Sequence, residues 1–161
     1  MSNGNTEPME LDDDESKGDL TLRSLNDNTT FVLPREYVLI SKVVEQALEG
    51  NSDTEVPVNI STDTLRKITE YMVQHQGTEA PMATEPIYGA DMTKNVSDPW
   101  DAAFIDQIDD QGMLFDLTKA ANYMDIPGLL LLCARKTASL VKYAELDDIA
   151  LILSEKEREQ K

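Results

Sequence analysis

From Asp98 to Val141 the apolar residues of this chain recur at intervals of three and four, whereas around Leu20, Thr30 and Val56 they sit in short β-rich runs that alternate with polar residues. A hydrophobic period that changes part-way along a chain rules out an all-helical or all-strand domain and points to an α+β fold, strands mostly first and helices after. Leu20 and Leu22 alternate with polar neighbours, Asn26-Asp27-Asn28 supplies turn chemistry, and Thr30 to Leu33 resumes the strand pattern, so a hairpin is predicted. Pro34 ends its second strand. Ser41 is placed to cap a helix through Val44 and Leu48 that stops at Gly50. Val56 to Ile60 reads as a third strand, with Pro57 favouring an edge. Ser61, Thr62 and Asp63 then offer caps for a helix carrying Leu65, Ile68 and Met72.

Beyond this β-β-α-β-α order, Gln76 to Val96 holds Gly77, Pro81, Pro86 and Gly89 with little periodicity, the pattern of a long mobile loop. Asp98-Pro99-Trp100-Asp101 can start a helix, Gln111 to Met124 a second, Leu129 to Lys142 a third and Leu146 to Leu153 a short fourth. Residues 1–18 are acidic and poor in aromatic and β-branched side chains, as expected of a disordered tail. Neither the tail nor the loop offers the core an apolar stripe, so both are expected to be dispensable for folding. The expected organisation is a tail at 1–18, one domain at 19–126 with a mobile loop at 76–97 inside it, and a helical extension at 127–161.

Fourteen Lys and Arg against 31 Asp and Glu leave a formal charge of -17, a field that repels nucleic-acid backbones and anionic lipid surfaces. Cys133 is the only cysteine, which excludes an intramolecular disulfide and suits a reducing compartment, the cytoplasm or nucleus. The first residues show no secretory signal, and the longest apolar run, Leu129 to Ala134, is far short of the roughly 18 residues of a membrane span. Without secretion, the glycosylation patterns at Asn28, Asn59 and Asn95 are coincidental. His75 is the only histidine and sits near a helix end, where a structural role is expected. Cys133 lies among leucines, the setting of a buried thiol with a raised pKa rather than a nucleophile. Asp106 to Gly112 lacks the spacing and distal Glu of a calcium loop, and the glycines are too scattered for a phosphate loop. No catalytic residue, metal ligand or cofactor emerges, and the chain reads as a binding protein, not an enzyme.

Two helices carry that reading. On a wheel for Gln111 to Ile126, Met113, Leu114, Leu117, Ala120, Ala121 and Met124 share one arc, while Phe115, Lys119, Asn122 and Tyr123 fall on the other. Two aromatics on a nominal solvent face call for a cover, either from the chain itself or from a partner. In the next helix Leu129, Leu130, Leu131, Cys133, Ala134, Thr137, Ala138, Leu140 and Val141 spread over about 200°, roughly twice the stripe a one-sided helix needs. Arg135, Lys136, Ser139 and Lys142 fill the remainder with Leu132 among them, so cover on two sides is expected, one of them from a partner helix.

Pro99-Trp100-Asp101, Phe104, Asp110-Gln111-Gly112, Leu114-Phe115-Asp116-Leu117 and the run Ala120-Ala121-Asn122-Tyr123-Met124-Asp125-Ile126 followed by Gly128-Leu129-Leu130 resemble, in order, the helical half of Skp-type adaptors. The first half resembles the same family more weakly, and together the likeness covers roughly residues 19–153. It implies a BTB/POZ-type fold with a C-terminal helical extension, acting as the adaptor that bridges a cullin and F-box substrate receptors in SCF ubiquitin ligases. Elongin C is close in fold but ends earlier, which favours the Skp type. By family position Asn122 and Tyr123, with Phe115 and Lys119 on the same arc, would face the cullin. Leu132, Thr137, Leu140, Val141, Ile149 and Leu153 would receive the F-box. The family's K-T-P-E-E-I segment is here Ala144-Glu145-Leu146-Asp147-Asp148-Ile149 without the proline, and the chain ends at Lys161, before the family's further acidic helix with its Trp, so the extension reads as truncated. The rival expectation is a divergent Skp-like subunit of a non-ubiquitin assembly, or a competitor of the normal adaptor that keeps one face. A dimer of the free protein fits either reading.

Overall fold

The computed structural model describes residues 18–79 and 86–143. The expected tail, the helix at 146–153 and the charged end, together with residues 80–85, lie outside them. Three strands form one sheet in the order β2-β1-β3: β1 is Asp19–Ser24, β2 Thr30–Pro34 and β3 Glu55–Val58. The hairpin is as the pattern predicts, with Leu20 opposite Leu33 and Leu22 opposite Phe31. Its turn places Asn28 at φ 61°, a left-handed conformation that asparagine tolerates better than most residues.

The third strand runs parallel to β1, pairing Leu22 with Val56 and Ser24 with Val58. A parallel pair needs a crossover, and α1 (Arg35–Val38) and α2 (Lys42–Leu48) provide it. Pro57 occupies the edge strand, where its missing N–H breaks no ladder. Ser24 is buried at the end of β1, and its hydroxyl donates to the Ile60 carbonyl at 2.8 Å.

Four helices after β1 and β2 begin or end on chemistry visible in the sequence. Ser41 accepts from the Val44 N–H at 3.3 Å at the start of α2, and Ser61 caps α3 (Thr62–His75). Asp98 accepts from the Trp100 N–H at 2.8 Å ahead of α4 (Pro99–Asp106), where Pro99 sits at a position with no helical N–H to lose. Asp110 accepts from Gly112 and Met113 ahead of α5 (Gln111–Tyr123). α3 closes through Gln76 at φ 47° and Gly77 at φ 83°, and a Cβ on Gly77 would run into the Glu36 carbonyl.

Leu20, Leu22, Leu33 and Val58 from the sheet join Leu65, Ile68 and Met72 of α3 and Leu117, Ala121 and Met124 of α5 in one buried cluster. The second half of the expected mobile loop belongs to it as well. Met92, in a short 3₁₀ turn at Met92–Lys94, is fully buried, and buried Asn95 ties the segment together, accepting from the Tyr88 N–H at 2.8 Å and donating to the Gly89 carbonyl at 2.7 Å. Glycine and proline content hid this, because one buried methionine and one self-bonding asparagine leave no periodic trace. Residues 86–96 are therefore packed into the fold and do not stand apart from the core as the sequence suggests. A last helix, α6 (Pro127–Tyr143), packs against α5 and α4.

Candidate functional site

The phase expected of α5 is the phase observed. Leu114, Leu117, Ala120, Ala121 and Met124 are buried, whereas Phe115 and Tyr123 are each 49% exposed and Lys119 and Asn122 lie open beside them. The Lys119 ammonium stands 5.2 Å from the Phe115 ring centroid, an exposed cation–π contact worth about 0.5–1 kcal/mol. None of the described residues covers this face.

The end of α5 that carries Asn122 and Tyr123 is rigidly held. Asp125 adopts φ 50°, the Asp125 N–H donates to the Asn122 carbonyl at 3.2 Å, and the Ile126 N–H donates to the Ala121 carbonyl at 3.0 Å, which together make a Schellman stop with aspartate in place of glycine. The next free carbonyls meet the start of α2. Ser41 Oγ donates to the Met124 carbonyl at 2.5 Å and the Lys42 N–H to that of Asp125 at 3.2 Å. One helix's donor-rich N-terminus thus satisfies another's acceptor-rich C-terminus.

In α6 the arrangement reverses what the sequence suggests. Arg135, Lys136 and Ser139, expected on the solvent side, are buried. Arg135 Nε donates to the Asn95 carbonyl at 2.9 Å, Lys136 Nζ lies 2.7 Å from Asp106 Oδ1, and Ser139 Oγ donates to the Gly89 carbonyl at 2.8 Å. Lys142 Nζ reaches the Ile87 carbonyl at 2.8 Å. Burying two cations is tolerable because each has a partner, and hydrogen bonds from charged groups are worth about 1.5–3 kcal/mol apiece. The packed segment 87–95 thereby claims the polar side of the helix. What it leaves open is Ala134, Thr137, Ala138 and Val141, a stripe at intervals of three and four, with Val141 43% exposed. Leu140 is half-buried at its border, whereas Leu132 is 5% exposed and belongs to the core, so its expected place among receptor contacts is not available to it. Ile149 and Leu153 lie outside the described residues.

Comparison with curated proteins finds relatives along most of the chain. It is 32% identical over 136 residues, spanning 83% of this chain and 81% of the relative, to the S-phase kinase-associated protein 1 homolog of Tetrahymena thermophila. This chain belongs to the Skp1 family. A Skp1-related protein of Caenorhabditis elegans is 30% identical over 135 residues, 78% of this chain and 74% of its own length. The E3 ubiquitin ligase complex SCF subunit sconC of Arthroderma otae is 29% identical over 133 residues, 81% and 78% of the two chains. No protein-family model matches the sequence.

Several titratable groups of this Skp1-family chain make structural contacts. His75 Nε2 is 2.8 Å from Asp101 Oδ1, both side chains nearly without solvent contact, and the hydrogen bond to Asp101 raises the His75 pKa against the opposing effect of burial. The imidazole also packs at a tilt against Tyr71, ring centroids 4.2 Å apart, and meets Trp100 edge-on at 6.0 Å. Burial pushes the Cys133 thiol up to about 11, which keeps it protonated and inert at neutral pH. Asp106 and Asp110, two of the three acids of the calcium-like stretch, hold Lys136 and the start of α5. Among the described residues no group of three or more His, Cys, Asp or Glu is arranged to hold a metal, and no helix is long and apolar enough to cross a membrane. The exposure of Phe115, Lys119, Asn122 and Tyr123 on α5 is as the helical phase predicts. Sequence reading did not place Ala134 and Ala138 in the open stripe of α6 beside Thr137 and Val141, and only the polar residues' need for partners in segment 87–95 could have signalled it.

Proposed function

We propose that this protein is the adaptor subunit of an SCF-type E3 ubiquitin ligase, with α5 presenting Phe115, Lys119, Asn122 and Tyr123 to a cullin and α6 presenting Thr137, Leu140 and Val141, with Ala134 and Ala138, to F-box receptors. Ile149 and Leu153 would extend the second surface. The observation that carries the reading is that consecutive helices each leave one stripe with apolar members open while their other sides are fully engaged. A helix that turns paired cations inward and valine outward is built to be covered by another apolar surface. Support comes also from a relative whose name makes it an SCF subunit. In this role the chain holds partners and the ligase chemistry resides in them. A chain of this charge suits the cytoplasm or nucleus and neither nucleic acid nor membrane.

Affinity purification of the tagged full chain from its source, followed by mass spectrometry, tests the proposal. A cullin together with several different F-box proteins is the expected result. Recovery of neither refutes it, and recovery of one class alone would identify a subunit that has kept a single face.

A further inference from the structure

α6 begins without a cap of its own. The residue before it is Ile126, whose side chain offers no acceptor, and Pro127 has no N–H, so the amides of Gly128 and Leu129 are the first that need a partner. That partner arrives from 49 residues earlier in the chain: the Gly128 N–H donates to Glu79 Oε1 at 2.7 Å, and the neighbouring Leu129 amide is close enough to the carboxyl group to favour its charged form. These are the second and third helical amides, the pair that a local Ser or Asp normally serves. The site is shaped around Glu79. A Cβ on Gly128 would stand 2.6 Å from Glu79 Oε1 and 2.9 Å from the Tyr71 hydroxyl, so glycine is required for the carboxylate to reach the backbone. Glu79 lies close enough to the Tyr71 hydroxyl to help raise its pKa, and Tyr71 in turn packs on His75 and Phe104.

We infer that Glu79 is the positioning residue of α6, a remote N-cap through which the end of α3 sets the place of the helix that carries the open apolar stripe. The inference deepens the proposed adaptor role and rests on it for the partner. Burial raises the Glu79 pKa while the amides it faces lower it, and glutamine offers the cap an acceptor oxygen of the same shape.

The test compares wild type, Glu79→Gln, Glu79→Met and Glu79→Ala as full chains. Hydrogen exchange is followed in the peptide covering 126–132, and affinity is measured for a panel of recombinant F-box domains. Glutamine keeps an acceptor oxygen and should hold both readouts within about twofold of wild type. Alanine should speed exchange of the first α6 amides about five- to tenfold, the size of a lost N-cap, and weaken F-box binding by a similar factor. Glu79→Met fills similar space without an oxygen acceptor and should behave as alanine does, whereas it would match wild type if the side chain merely filled space. Equal effects of Gln and Ala, or unchanged exchange in the Ala variant, would overturn the inference. Should wild type bind none of the F-box domains, the adaptor reading falls, and the exchange comparison still decides whether Glu79 places α6.

Discussion

Replacing both Asn122 and Tyr123 with lysine should abolish cullin binding and leave the protein folded. Tyr123 is 49% exposed, and a buried tyrosine covers about 150–250 Å², so a partner can remove about 100 Å² more from water, worth about 2.5 kcal/mol. Truncation to Tyr123→Ala alone should therefore weaken cullin affinity by roughly sixty-fold. The double lysine variant goes further, since each ammonium must be stripped of water in the contact or hold it open. The fold has no corresponding reason to suffer. The bonds that stop α5 run through the Asn122 and Ala121 carbonyls, not through the replaced side chains, and lysine is a better helix former than asparagine and suits a helix C-terminus. A melt within about 1–2 °C of wild type is expected, the shift that roughly 0.5 kcal/mol produces in a protein of this size. Titration of a purified cullin N-terminal domain by calorimetry, beside a thermal melt, makes the measurement. A folded double variant with wild-type affinity would refute the assignment of this face, and a collapsed melt would show that the side chains support the core.

Val141→Glu should weaken F-box binding by at least about 2 kcal/mol without lowering the melt, because the side chain is open in the free protein; retained binding across a panel of F-box domains would remove α6 from the interface. Met92→Ala should destabilise the fold by about 2–4 kcal/mol in urea titration, since a fully buried methionine leaves a cavity, and a change below about 0.5 kcal/mol would return segment 86–96 to the status of a dispensable loop. His75 has a raised pKa in the fold, so its bond to Asp101 stabilises fully below the ordinary 6.5 and loses that contribution as pH climbs through the higher folded value. The stability gap between wild type and His75→Gln should accordingly be widest near pH 6 and narrow above it, and a gap that grows with pH would contradict the charge-assisted pairing.

Much of this protein follows from local rules that act over a few residues. Ser41, Ser61, Asp98 and Asp110 stand where caps are needed, and each is found capping. The α5 face was equally legible, because an amphipathic helix with a narrow apolar arc has one way to meet a core and its remaining arc must then face out. α6 is different. Its apolar arc is too wide to say which half goes inward, and periodicity alone assigns Arg135, Lys136 and Ser139 to solvent. Only the tertiary structure brings the Asn95 and Gly89 carbonyls and the Asp106 carboxylate to those side chains, and with the polar side satisfied internally the stripe of Ala134, Thr137, Ala138 and Val141 is left for a partner. The parallel pairing of β1 with β3, the His75–Asp101 contact across 26 residues and the cap that Glu79 lends to α6 across 49 have the same origin. Each joins groups that are individually ordinary, and a hydrogen bond between distant residues leaves no period in the sequence that could announce it.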